Sequence, residues 1–211
     1  MAKRFVNSYF VERMLHPSYQ SNLVEAGCDE AGRGCLAGPV VAAAVILSPD
    51  FDTRALRDSK ALSADKRDRL RIYIEKHALA WGVSSTCNEL IDNINILNAS
   101  FEAMHKALDL LDISPDLLLI DGNRFKPYAD IPHKCIVKGD ATYASIAAAS
   151  ILAKTYRDDM MLQYHHRYPD YGWDRNKGYP TNDHRLALEK YGETPLHRKT
   201  FHLKARQLKL F

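Results

Sequence analysis

The order of elements in this chain predicts an α/β fold, a mixed sheet with helices on both faces. Three observations lead there. Strand-like stretches at 23–29 and 39–47 come first, with no long helix between them. Strand and helix signals then alternate along the rest of the chain. Segment 117–121 is a continuous Leu/Ile run closing on Asp121 and Gly122, which reads as a buried parallel strand.

In order, 23–29 is a short strand and 39–47 a second one rich in Val, Ala and Ile. Ser63 precedes a helix to about residue 77, with Leu70 and Ile74 at helical spacing. Residues 80–85 form a third strand. Asn88 is expected to cap a helix running to 111, with Ile91, Ile94, Leu97, Phe101, Met104 and Leu108 as its buried stripe. After strand 117–121 come a short strand at 136–138 and an Ala-rich helix at 143–161. Residues 169–180 are aromatic, punctuated by Gly and Pro, and read as loop, and 183–191 reads as a last helix. No repeat or Gly/Ser linker divides the chain, so 1–211 is read as one catalytic-sized domain, with about 165–211 as a basic, helical C-terminal extension.

At 211 residues, 46% hydrophobic and 26% charged, the chain can bury a core of its own. Its net charge of +3 is only mildly basic. After Glu193 no acid occurs, whereas Arg198, Lys199, Lys204, Arg206 and Lys209 follow, a tail that either faces phosphates or is a solvated face. Cys28, Cys35, Cys87 and Cys135 form no CxxC pair, which argues against a zinc site or a disulfide framework and suits a reducing cytoplasm. The first residues lack the apolar run of a signal peptide. Apolar stretch 40–47 is far short of the roughly 18 residues a membrane span needs. A cytoplasmic protein that spans no membrane is expected, and nothing suggests a dimer.

The chemistry lies in acids at strand ends. Asp29 and Glu30 close the first strand, ahead of Gly32-Arg33-Gly34. Neighbouring side chains on a strand point to opposite faces, so a bend at Glu30 is expected if both carboxylates serve one site. Asp121 ends the buried strand, where ligand crevices form in open α/β sheets. Asp140 stands just before the Ala-rich helix, as a site residue or as an ordinary N-terminal cap. Clustered carboxylates repel unless a cation compensates. Oxygen donors without Cys or His favour magnesium or manganese, and two such ions can hold both the attacking water and the leaving oxygen of a phosphodiester.

These residues carry a resemblance. Cys28-Asp29-Glu30-Ala31-Gly32-Arg33-Gly34 with Leu36-Ala37-Gly38-Pro39 closely resembles the opening signature of the ribonuclease HII family. The likeness continues in order through Asp58-Ser59-Lys60, Ile120-Asp121-Gly122, Lys138-Gly139-Asp140, the stretch from Ser145 to Lys154, Lys177-Gly178-Tyr179, His184, and His197-Arg198. It implies a ribonuclease H-like fold, a mixed five-stranded sheet flanked by helices with a C-terminal helical extension. It further implies Asp29, Glu30, Asp121 and Asp140 as catalytic, metal-binding carboxylates for Mn2+ or Mg2+. The implied activity is cleavage of RNA–DNA hybrids and of duplex DNA containing ribonucleotides, on the 5′ side of the ribonucleotide, leaving a 3′-hydroxyl and a 5′-phosphate. By the same resemblance, Gly32, Arg33 and Gly34 meet the ribonucleotide and its 2′-hydroxyl. Tyr179 stacks on the next deoxyribose. Lys60 either holds a phosphate or pairs with an active-site acid, and Lys154 is either a phosphate contact or a solvated helix end. Near the basic tail, His184, His197 and Arg198 are candidate phosphate contacts, with a structural role as the alternative for the histidines.

Where this family commonly has a branched aliphatic residue before the catalytic Asp, the chain has Cys28, for which no metal role is expected. Gln207, Leu208, Leu210 and Phe211 resemble the short Gln-Leu-x-Leu-Phe peptide by which bacterial replication proteins bind the sliding clamp. Packing on the protein's own surface is the alternative. The sibling ribonuclease HIII family fits less well, because the Glu30-to-Gly34 motif is that of HII and no added N-terminal platform is seen. A non-catalytic hybrid binder would not need all four acids. A general phosphohydrolase would have no use for the Gly-Arg-Gly and Gly-Tyr motifs.

Overall fold

The computed structural model describes residues 14–56 and 64–201. Lys60, with Asp58 and Ser59, and the tail residues Gln207, Leu208, Leu210 and Phe211 lie outside the described residues. The strands are β1 (Glu25–Ala31), β2 (Val40–Leu47), β3 (Ala78–Thr86), β4 (Leu117–Asp121) and β5 (His133–Ile136), and the helices α1 (Ala64–His77), α2 (Asn88–Leu108), α3 (Ala144–Arg167), α4 (Trp173–Asn176) and α5 (Asn182–Tyr191). The sheet order is β3-β2-β1-β4-β5. β2 runs antiparallel to β1 and β3, while β4 is parallel to β1 and β5 to β4.

β2 is buried on both faces, which is why it is an unbroken Val/Ala/Ile run. Ala42 and Ala44 face α2 with Ala26, Cys28 and Ile120, whereas Ala43 and Val45 face α3 and α1. Small residues let the helices come close. A Cβ at Gly27 would sit 2.2 Å from the Ser145 backbone of α3, and one at Gly82 would sit 2.2 Å from the Ala107 carbonyl of α2. The alanines of α3 thus lie flat on β1 and carry the rest of that helix past the end of the strand. No helix among the described residues is long and apolar enough to cross a membrane.

Several elements differ from the expectation. β1 does not bend at Glu30. It stays paired with β2 through Glu30↔Ala42 and Ala31↔Val41, and the turn comes at Gly32, where φ is +95°. Asn88 does not cap α2. Its buried amide donates to the carbonyls of Pro195 (2.8 Å) and His197 (3.4 Å), tying the helix start to the end of the chain. Asn95 breaks α2 at φ 64°, and its side chain accepts from the Leu97 and Asn98 amides to restart the helix. The break rotates the second half, so Ala99, Ala103 and Ala107 join Met104 and Leu108 in the core in place of Leu97 and Phe101. α3 runs six residues beyond Met161, to Arg167, and 169–180 contains the short helix α4.

Candidate active site

The site opens where two parallel strands part. β1 pairs with β4 only as far as Cys28↔Ile120. Beyond that point β1 keeps its bonds to β2 alone, and Asp29, Glu30 and Asp121 occupy the ends that separate. Brought to the same place is Asp140, buried in a 3-10 turn (Gly139–Ala141), whose Gly139 amide donates to Asp121 Oδ1 at 2.7 Å. Asp140 is not the cap of α3, since Tyr143 holds that position without a side-chain bond.

Asp29 is 7% exposed and its Oδ1 accepts from the Glu30 amide at 2.7 Å. Burial pushes its carboxyl well above the usual carboxylate range, and the charges of Glu30 and Asp121 add to this, against hydrogen bonds from Ser150 and the Glu30 amide. Burial likewise raises Glu30, opposed by the Arg33 guanidinium 2.9 Å away. Two acids on opposite faces of β1 therefore feel one another and Asp121, because the neighbouring strand no longer screens them. Among the described residues no three acids, as their side chains stand, form a ready cage for one ion: Glu30 is drawn to Arg33 and Asp121 to Gly139. In donor chemistry and charge the set still fits a hard divalent cation, being all oxygen, mutually repelling and largely buried. Cys28 points into the opposite core, and burial holds its thiol protonated.

Beside the acids lies an open cleft of about 360 Å³, lined by Glu30, Gly32, Arg33, Gly34, Lys154 and Tyr179. Tyr179 is 40% exposed and shares a hydrogen bond with the buried Cys35 thiol. Lys154 is an α3 residue held by Asp158, which also draws Arg67 of α1 to 3.6 Å. Ser150 and Arg67 line the cleft too and were not foreseen as site residues. Ser150 sits ten residues past Asp140 in the Ala-rich helix, which also carries Ser145, Lys154 and Thr155, so its hydroxyl gave no distinctive signal. Arg67 comes from a distant helix and gave no local sign.

The expected phosphate contacts at His184, His197 and Arg198 are corrected. His184 is 0% exposed, so it meets no phosphate. The Trp173 indole N–H, which can only donate, bonds His184 Nε2 at 3.1 Å, and His184 Nδ1 donates to the Tyr179 carbonyl at 2.9 Å. His197 Nδ1 accepts from the Thr194 amide at 2.8 Å, leaving its Nε2–H to donate to His184 Nε2 at 3.1 Å. Both rings are neutral in this chain of bonds, and burial lowers both pKa values, His197 to about 4. Arg198 is 2% exposed and spends its guanidinium on backbone carbonyls, so it is not available as the phosphate contact expected of it.

The fold is one that solved ribonuclease H2-type nucleases share. The ribonuclease HII of the Archaeoglobus fulgidus PCNA:RNase HII complex matches with a TM-score of 0.72 at 27% identity, over 90% of this chain and 100% of that one. Bst-RNase HIII in complex with Mn2+ matches at 0.63 and 18% identity, over 90% of this chain and 68% of that one. The family model described as Ribonuclease HII matches residues 26–204. The Ribonuclease HII of Phocaeicola vulgatus is 61% identical over 190 residues, 90% of this chain and 94% of that protein. The chain belongs to the ribonuclease HII family, metal-dependent ribonuclease H endonucleases that act on RNA–DNA hybrids.

Proposed function

We propose that this enzyme nicks duplex DNA on the 5′ side of an embedded ribonucleotide, leaving a 3′-hydroxyl and a 5′-phosphate, and cuts RNA–DNA hybrids by the same chemistry. The observation that carries the reading is the meeting of Asp29, Glu30, Asp121 and Asp140 beside the Gly32–Gly34 turn and Tyr179. Residues 1–211 act as one catalytic domain, as a monomer in the cytoplasm.

The four carboxylates are the residues to hold two divalent ions, Mg2+ or Mn2+. When bound, such ions supply the Lewis acid and the activated water of phosphodiester hydrolysis. Ser150 orients the Asp29 carboxylate by its hydroxyl. Lys154, steadied by Asp158, offers an ammonium to a substrate phosphate at the cleft wall. Gly32, Arg33 and Gly34 bring backbone to the ribonucleotide, and the glycine at 34 supports this. A Cβ there would meet nothing within 4 Å, so the fold itself does not require glycine, whereas a closely approaching ligand does. Tyr179 presents its ring to the sugar of the following nucleotide.

The test is an end-labelled duplex with one ribonucleotide, incubated with magnesium, manganese or chelator. A metal-dependent nick on the 5′ side is expected. Cleavage of long hybrids alone would discard the single-ribonucleotide reading, and no cleavage by folded protein would discard the nuclease. We also propose that Gln207, Leu208, Leu210 and Phe211 dock on a replication sliding clamp, a reading supported by the Archaeoglobus fulgidus complex with PCNA. Deleting 208–211 is expected to abolish clamp binding at unchanged stability, and retained binding would sink the idea.

A further inference from the structure

Two arginines hold the cleft's reading turn from inside the protein. Arg198 donates Nη2 to the carbonyl of Gly32 at 2.8 Å, Nη1 to that of Arg33 at 3.0 Å and Nε to that of Gly38 at 3.0 Å. Arg157, on α3 and 1% exposed, donates Nε to Pro39 at 2.9 Å, Nη2 to Ala37 at 3.1 Å and Nη1 to Lys177 at 2.8 Å. Among the described residues no carboxylate forms an ion pair with either. Burying two guanidiniums without acids is expensive, and these offset the cost only by saturating six carbonyl oxygens of one loop and its neighbour.

What the carbonyls do fixes what the amides do. In a planar trans peptide the C=O and the following N–H point in opposite directions. With the carbonyls of Gly32 and Arg33 pulled inward by Arg198, the N–H groups of Arg33 and Gly34 are turned outward, on the side where Gly34 has open space. Among the described residues neither amide meets an acceptor. Two successive outward N–H groups form a small concave donor pair suited to a hydroxyl or phosphate oxygen. Gly32 lies directly on the second arginine, since a Cβ there would be 2.0 Å from Arg157 Nε. By holding the Lys177 carbonyl, Arg157 also fixes the approach to Gly178 and Tyr179. The forked, planar group matters: lysine offers a point charge and cannot span three carbonyls.

We propose that Arg157 and Arg198 are positioning residues for ribonucleotide discrimination, aiming the Arg33 and Gly34 amides and the Tyr179 ring at the substrate without touching it. The inference rests on the reading that this turn meets the ribonucleotide. The experiment uses the full chain with its metal. Cleavage gives KM for a duplex with one ribonucleotide, and competition gives Ki for an all-DNA duplex of the same sequence. In Arg198→Lys and Arg157→Lys the ratio Ki/KM is expected to fall about tenfold, the worth of one misaimed hydrogen bond, with Ki unchanged. A merely structural role would leave the ratio alone or weaken both duplexes equally, and either result in a folded variant overturns the proposal. If Arg198→Lys does not fold, Arg157→Lys decides; if neither folds, the arginines are structural and the proposal falls. A wild-type ratio near one would instead refute the underlying reading of the turn.

Discussion

Replacing Gly34 with alanine puts a methyl group where the protein has nothing within 4 Å, at a backbone position that is not left-handed. Stability is therefore expected to hold or rise, by about 0.4–1 kcal/mol through the stiffer unfolded chain. Gly32→Ala, two residues away, is the opposite case. Its φ of +95° costs a side chain about 1–2 kcal/mol. The new Cβ would lie 2.0 Å from Arg157 Nε, so the guanidinium must shift and lose at least one charged hydrogen bond, about 1.5–3 kcal/mol more. The sum, about 2.5–5 kcal/mol, lowers the melting temperature by about 5–20 °C in a protein of this size. Thermal melts paired with single-ribonucleotide cleavage separate the two. Gly34→Ala is expected to melt as wild type and to cleave about tenfold or more slowly, because the methyl keeps the substrate off the amide. If Gly34→Ala cleaves at the wild-type rate, the turn does not approach the substrate. If Gly32→Ala melts as wild type, the packing of Arg157 beneath it is wrong.

Asp140→Asn is expected to keep the fold and to lose about 100-fold or more in cleavage, since it removes charge from the metal cluster, and near-native activity would show the fourth acid to be misassigned. The His184–His197 pair predicts a pH dependence. Both folded pKa values lie below the ordinary 6.5, so this contribution to stability is complete above about pH 6.5 and is lost as the pH falls toward the His197 value of about 4. Melting temperature against pH is the check, and a His197→Gln variant should flatten the drop. Cys28→Ser is expected to keep metal binding and cleavage, at about 1–2 kcal/mol of stability for a hydroxyl placed among the apolar residues of β1, β2 and α2; loss of manganese binding by calorimetry would contradict the placement of this thiol.

Much of the site was legible because acids at strand ends are local signals. The run into Asp121 gave both a strand and a candidate ligand, and the Val, Ala and Ile run of 39–47 gave a strand that the structure then shows buried on both faces. The turn after Asp29 and Glu30 was placed two residues early, since glycines permit a bend without fixing where pairing stops, and pairing with β2 decides that. Arg198 and His184 were misplaced for a different reason. Charge and polarity suggest solvent until long-range partners are known, and Arg198 finds its carbonyls 160 and more residues away. Arg157 was passed over altogether, one cation on a long helix whose three acceptors come from two distant loops. The break in α2 rests on a single Asn95 backbone conformation that helical periodicity does not reveal.

The central claim is that the acids where β1 and β4 part form a divalent-metal site, and calorimetric titration of manganese into wild type and Asp121→Asn tests it most directly. Wild type is expected to bind with release of protons, seen as a heat that depends on the buffer, because burial and mutual repulsion raise Asp29 and Glu30. Asp121→Asn is expected to bind at least about tenfold more weakly, one charged ligand having been removed from the set. Equal binding by a folded Asp121→Asn protein would place the metal elsewhere and contradict the account.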